Sequence, residues 1–276
     1  MASGSVTISS EAFPAQHGIA ERFAALKAHG RRALVPYITA GHPDPERTVA
    51  LIGALEQAGA DVIELGLPFS DPMADGPIIQ ASSQRALELG VNFDRVLALV
   101  QRARPGIPLV LFSYLNPLLA GGGDALTRAA QAGFSGVLVT DLPVGSDPEL
   151  EARIGDGPLA FIRLVAPTTP APRMREIAEH GSGFVYLISR LGVTGVRDDL
   201  PAELPETVAR LRGATTLPVA VGFGVSRPEQ AAAVARIADG VVVGSAIVRA
   251  AGEGVDQAAK LAASLRAAID TATDTA

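Results

Sequence analysis

The sequence predicts an α/β fold, a (β/α)8 TIM barrel with an extra N-terminal helix. Short β-branched apolar runs alternate with amphipathic Ala/Leu-rich segments, the pattern of strands joined by crossover helices. The runs are apolar at successive positions, so both faces of each strand are buried, as in a parallel sheet covered by helices outside and packed against other strands inside. The 276 residues, 48% of them hydrophobic, suit one such barrel and its core.

Each element follows in order. Residues 1–16 read as a flexible tail, residues 17–270 as a single barrel domain, and residues 271–276, TATDTA, as a frayed end. Residues 17–29 carry Ile19, Phe23 and Leu26 at helical spacing and form the extra helix, placed to plug the bottom of the barrel. The strands are expected at 33–39, 61–66, 108–113, 136–140, 159–165, 184–188, 217–222 and 240–243. Asp44-Pro45 supplies an N-cap and a first-turn proline for the first barrel helix, whose stripe is Val49, Ile52 and Leu55. Ser226-Arg227-Pro228-Glu229 reads as a capping box, and residues 251–269 as the eighth helix. No low-complexity linker calls for a second domain.

Composition excludes several functions. The formal charge of -6, with Lys and Arg scattered, leaves no basic footprint for nucleic acid and favours a small-molecule substrate. Cysteine is absent, which removes disulfides, thiolate catalysis and zinc-thiolate sites and fits a cytoplasmic location. The N-terminal stretch lacks a basic segment followed by an apolar core, and no run reaches about 18 apolar residues, so no membrane segment is expected. The lysines, Lys27 and Lys260, both fall on outer helical segments, which disfavours a Schiff-base aldolase. The histidines His17, His29, His42 and His180 are dispersed, so no metal site is expected.

In this fold chemistry gathers where strands end. Glu64 lies inside an apolar run, where an ionised carboxylate is costly; it is a candidate general acid/base, with a backbone-bonded structural carboxylate as the alternative. Asp75, on the following loop, can share the same mouth. Asp71 precedes Pro72 and stands between an Asx-type brace and chemistry. Gly222-Phe223-Gly224 after the seventh strand and Gly244-Ser245 after the eighth suit a phosphate cradle, the alternative being tight turns alone. Ser189 to Gly195, after the sixth strand, suits a mobile lid or an ordinary surface loop.

The run from Glu64 to Gly76 resembles the signature of tryptophan synthase alpha subunits. Tyr186 to Ser189, Gly192 to Gly195, Gly222-Phe223-Gly224 and Gly244-Ser245 are similar to that family's other loops, and the likeness runs from residue 23 to the end. It implies a lyase that cleaves indole-3-glycerol phosphate to indole and glyceraldehyde 3-phosphate in tryptophan biosynthesis. Glu64 would protonate indole C3 and Asp75 would take the proton from the indole nitrogen. Gly195, Gly224, Gly244 and Ser245 would hold the phosphate, and Tyr186 would stand beside Glu64 and the substrate. Phe223, Tyr37, Leu138 and Leu164 would wall the indole pocket, Thr39 would sit near the mouth, and Thr194 would close the sixth loop by reaching Asp75. Two positions depart from the familiar pattern: Tyr37, where phenylalanine is familiar, and Thr140, where some relatives carry a smaller residue. The resemblance also implies no cofactor in this chain, a beta subunit that carries pyridoxal phosphate, an α2β2 complex with an indole tunnel, and a strand-two loop with Asp71 facing that partner.

Overall fold

The computed structural model describes residues 18–188, 200–222 and 224–274. In chain order these form α1 (Ile19–Ala28), β1 (Ala33–Thr39), α2 (Pro45–Gln57), β2 (Ile63–Gly66), α3 (Pro77–Glu88), α4 (Phe93–Ala103), β3 (Leu109–Ser113), α5 (Leu115–Ala120), α6 (Ala125–Ala132) and β4 (Gly136–Val139). The second half adds α7 (Pro148–Gly155), β5 (Ala160–Val165), α8 (Ala171–Glu179), β6 (Val185–Ile188), α9 (Leu204–Arg212), β7 (Val219–Gly222), α10 (Pro228–Ala235), β8 (Gly240–Val243), α11 (Ser245–Glu253) and α12 (Val255–Asp274). All eight strands run parallel in sequence order, and β1 pairs with β8 to close the barrel. The expected (β/α)8 fold and its N-terminal helix are both present.

Strand side chains alternate between two cores because Cβ atoms alternate across the pleat. Leu34, Ile38, Ile63, Leu65, Leu109 and Leu111 point outward against the helices. Val35, Val62, Val110, Leu138, Ile162 and Val242 fill the interior, joined by Ile19, Phe23 and Leu26 of α1. The extra helix therefore plugs the N-terminal end, with Phe23 packed on Phe184 at 5.4 Å between ring centroids. Glycine at 136 makes room for it, since a Cβ there would lie 2.6 Å from Ile19 Cδ1.

Polar groups lock the framework at that end. Asp61 precedes the β2 ladder, which begins two residues later than expected because the Leu34 N–H of β1 is taken by the Asp61 side chain rather than by a ladder carbonyl. Its carboxylate accepts from the Leu34 N–H at 2.9 Å, from Arg22 of α1 at 2.6 Å and from Arg266 of α12 at 2.9 Å. On the outer side, the buried Arg163 of β5 donates to Glu151 of α7 at 2.8 Å and to the carbonyls of His180 and Leu142.

Several helical details differ from expectation. Asp44 caps α2 as expected, accepting from the Arg47 N–H at 2.9 Å, but the buried stripe is Thr48, Leu51, Ile52 and Leu55, with Val49 only half-buried. The cap of α10 is shifted by one residue: Gln230, not Glu229, reaches back to accept from the Ser226 and Arg227 N–H groups. The eighth helical segment is two helices, broken at Gly254 with φ +156°. Residues 271–274, expected as part of the terminal segment, continue α12, in which Ala272 extends the buried stripe of Ala258, Ala262, Leu265 and Ile269.

Candidate active site

The alternation that sends Val62 inward sends Glu64 inward as well, one layer nearer the C-terminal mouth. Its register neighbours are Tyr37 on β1 and Val110 on β3. Glu64 is 1% exposed, and its Oε1 has no hydrogen-bond partner among the described residues. Burial pushes its carboxyl up to about 8. A buried carboxylate without a compensating partner holds its proton, so this side chain is an acid at neutral pH.

Asp75 lies on the loop between β2 and α3 and is 9% exposed. The loop is built by backbone turns, with the Asp75 N–H donating to Pro72 O at 3.0 Å, and Gln80 Nε2 donates to the Asp75 carbonyl at 2.9 Å. Burial raises its carboxyl to about 6, opposed by the neighbouring Tyr114 hydroxyl. The two acids thus sit in environments that separate their titrations, and such a pair divides into one proton donor and one acceptor near neutrality.

Both acids line one cavity of about 620 Å³, measured with its open mouth. Tyr37 and Tyr186 project into it from β1 and β6, and Phe112 meets Tyr37 edge-on at 5.2 Å between centroids. Burial raises both phenols, so they remain neutral. Gly224, Val225, Ser226, Gly244, Ser245 and Ala246 form another part of the lining. Gly224 takes φ +94°, a conformation that glycine adopts without strain. Gly244 and Ser245 open α11, whose first N–H groups have no partner within the helix and whose dipole favours an anion. The site therefore combines an aromatic slot, a proton donor, a proton acceptor and an anion cradle.

Of the expected residues, Glu64, Asp75, Tyr37, Tyr186, Gly224, Gly244 and Ser245 are brought together around this cavity. Thr194, Gly195 and Phe223, with the strand-six loop, lie outside the described residues. Thr39, Leu138 and Leu164 are not among the lining residues. Thr39 bonds Ser82 at 2.6 Å and approaches the Tyr37 hydroxyl at 3.4 Å, so it supports the wall from behind. Leu138 is fully buried and pairs in register with Phe112, and Leu164 is half-buried and pairs with Tyr186, so each stands beside a lining residue. Asp71 is exposed; its carboxylate accepts from the Ser70 hydroxyl, and its backbone carbonyl accepts the Met73 N–H at 2.9 Å.

Ile79, Phe112, Val225, Ser226, Val242 and Ala246 were not anticipated in the lining. Inward alternation on β3 and β8 would have found Phe112 and Val242, as it found Glu64. Tyr114 was also missed: it follows β3, and only the adjacency of β2 and β3 carries it to Asp75. Among the described residues no group of three His, Asp or Glu side chains is arranged to hold a metal ion, and no helix is long and apolar enough to cross a membrane.

Comparison with known proteins agrees with this geometry. A family profile described as tryptophan synthase alpha chain matches residues 23–276. The chain is 50% identical over 242 residues to the tryptophan synthase alpha chain of Gluconacetobacter diazotrophicus, covering 86% of this chain and 88% of that one. It is 47% identical over 260 residues to that of Laribacter hongkongensis, covering 91% and 98%. Among solved structures, a chain of Mycobacterium tuberculosis tryptophan synthase superposes with a TM-score of 0.84 at 38% identity, covering 91% of this chain and 97% of that one. The tryptophan synthase alpha subunit of Legionella pneumophila gives 0.83 at 38% identity, covering 92% and 98%.

Proposed function

The chain belongs to the tryptophan synthase alpha chain family, lyases that cleave indole-3-glycerol phosphate to indole and glyceraldehyde 3-phosphate in tryptophan biosynthesis, and on that premise we propose how its residues divide the work. Glu64, protonated at neutral pH, delivers its proton to indole C3. Asp75, ionised, draws the proton from the indole nitrogen. The ring becomes an indolenine, whose C=N bond is the electron sink that a lysine imine supplies in other aldolases.

The bond from C3 to the glycerol carbon then breaks. Its electron pair restores the aromatic ring, and the nitrogen recovers its proton from Asp75. The hydroxyl on the departing carbon becomes the aldehyde carbonyl and gives its proton to Glu64, now a carboxylate, which regenerates the acid. Gly224, Gly244 and Ser245, together with Gly195, anchor the phosphate, and Tyr37, Tyr186 and Phe112 hold the ring, with Phe223 completing that wall. The reaction needs no cofactor in this chain; the pyridoxal phosphate of tryptophan synthase is the beta subunit's.

The observation that carries this reading is that Glu64 and Asp75 line one cavity with Gly224, Gly244 and Ser245. It is tested by indole release from indole-3-glycerol phosphate: Glu64→Gln and Asp75→Asn each remove a proton-transfer group at nearly constant volume and each lower turnover by about 10²-fold or more. Turnover within a few-fold of the unsubstituted protein by either variant would defeat the assignment.

The family implies a beta-subunit partner. We place it on the loop between β2 and α3, where Met73 is 90% exposed at the rim and Asp71 braces the turn. An α2β2 complex there would receive indole through a tunnel without release to solvent. A cytoplasmic location is supported by the lack of cysteine and the biosynthetic role.

A further inference from the structure

We propose that Tyr37 is a positioning residue for this reaction: seated over Gly66 and against Phe112, its ring closes the mouthward side of Glu64 and keeps water off the acid. The inference rests on the assignment of Glu64 as the proton donor. Gly66 faces the interior as Glu64 does, two residues and about 7 Å further along β2 toward the mouth. Its register neighbours are Thr39 on β1 and Phe112 on β3. A Cβ at position 66 would lie 2.1 Å from Tyr37 Oη and 2.6 Å from its Cζ, so the phenol occupies the side-chain space that the glycine leaves.

Strands β1 and β3 stand two strand spacings apart, roughly 10 Å. Tyr37 and Phe112 nevertheless meet edge-on at 5.2 Å between centroids, because no side chain stands between them on β2. The two rings form a bridge across the strand that carries Glu64. The phenol end of the bridge is turned into the wall. Ser82 Oγ donates to Ile79 O at 2.7 Å, so Thr39 donates to Ser82 at 2.6 Å, and the Thr39 oxygen is left to accept from the Tyr37 O–H at 3.4 Å. Beneath the acid, Val62 and Val110 close the interior layer. Glu64 is thus covered above and below along its own strand and faces only the cavity that it lines. The titratable groups that share this cavity are Tyr37 from β1, Tyr186 from β6 and Asp75 from the loop between β2 and α3, and burial is what raises the Glu64 carboxyl.

Tyr37→Phe keeps the ring, whereas Tyr37→Ala removes the bridge. Water admitted beside Glu64 favours its ionised form, so its midpoint falls. In Tyr37→Ala the falling limb of kcat/KM for indole release moves from about pH 8 to about pH 7, and in Tyr37→Phe it stays in place, whatever the height of either plateau. Above the limb the alanine variant therefore loses about a further tenfold beyond its plateau deficit. Gly66→Ala, whose methyl takes the place of the phenol oxygen, displaces the ring and moves the limb the same way. An equal loss at every pH in Tyr37→Ala, or a limb displaced as far in Tyr37→Phe, overturns the proposal. The Glu64 carboxyl is also titrated by infrared spectroscopy in the unliganded full chain, its C=O band assigned by its loss in Glu64→Gln; a midpoint unmoved by Tyr37→Ala overturns the proposal independently of turnover. Should Tyr37→Ala fail to fold, Phe112→Leu removes the other half of the bridge and lowers both readouts, and unmoved readouts overturn it. A parent protein in which Glu64→Gln removes no band titrating near pH 8 would instead refute the acid assignment, whereas such a band left unmoved by Tyr37→Ala would refute the role of Tyr37 alone.

Discussion

Glu64→Gln should yield a protein that is inactive yet gains stability, relative to the parent, as pH rises. In the unfolded chain Glu64 ionises near 4.5, whereas burial holds its proton until about 8 in the folded state. Between those values the unfolded state binds fewer protons, so this residue's contribution to stability is complete below about pH 4.5 and is lost as pH rises toward 8. At pH 7 the loss is about 3 kcal/mol. Glutamine escapes it but buries an amide whose donors need partners, a cost of about 1–3 kcal/mol that does not vary with pH. The slope is therefore diagnostic where the absolute gap is not. Urea denaturation of both proteins at about pH 5, 6 and 7 should show the gap moving in favour of Glu64→Gln by about 1.4 kcal/mol per pH unit. Parallel stability curves would mean that Glu64 is ionised in the folded protein, and the acid role would fall with them.

Other consequences are equally direct. The kcat/KM profile for indole release should be a bell, rising near pH 6 as Asp75 ionises and falling near pH 8 as Glu64 loses its proton; a profile flat from pH 5 to 9 would contradict the division of roles. Arg163→Ala strands Glu151, with each side chain only 4% exposed, and should cost about 3–5 kcal/mol in chemical denaturation, while Arg163→Met combined with Glu151→Leu recovers most of it. A single-variant loss under about 1 kcal/mol would show that this pair is not a structural tie. Ser245→Asp places a carboxylate where the substrate phosphate is anchored and should raise KM by roughly ten- to a hundredfold with kcat little changed; an unchanged KM would move the phosphate elsewhere.

The barrel was legible because its strands are buried on both faces and leave uninterrupted apolar runs. For β1 and β8 the expected and observed bounds coincide. Glu64 stood out for the same physical reason, as a carboxyl in such a run, and the glycines after β7 and β8 marked the cradle by position. Depth in the barrel was not legible. Leu138 and Leu164 pair with the lining residues Phe112 and Tyr186, and because strands in a closed barrel are staggered, a linear sequence does not reveal how near the mouth each side chain stands. The polar TATDTA end, rich in residues of low helix propensity, hid the continuation of α12, which follows tertiary burial of Ala272. Tyr114 carried no local signal, because its partner lies on the preceding βα loop.

The most direct test is a crystal structure of the Glu64→Gln protein with indole-3-glycerol phosphate, which that variant should bind without consuming. The indole nitrogen should lie within hydrogen-bond distance of the Asp75 carboxylate, C3 beside residue 64, and the phosphate against the amides of Gly224, Gly244 and Ser245. An indole ring turned away from Asp75, or a phosphate bound elsewhere on the barrel, would contradict the account.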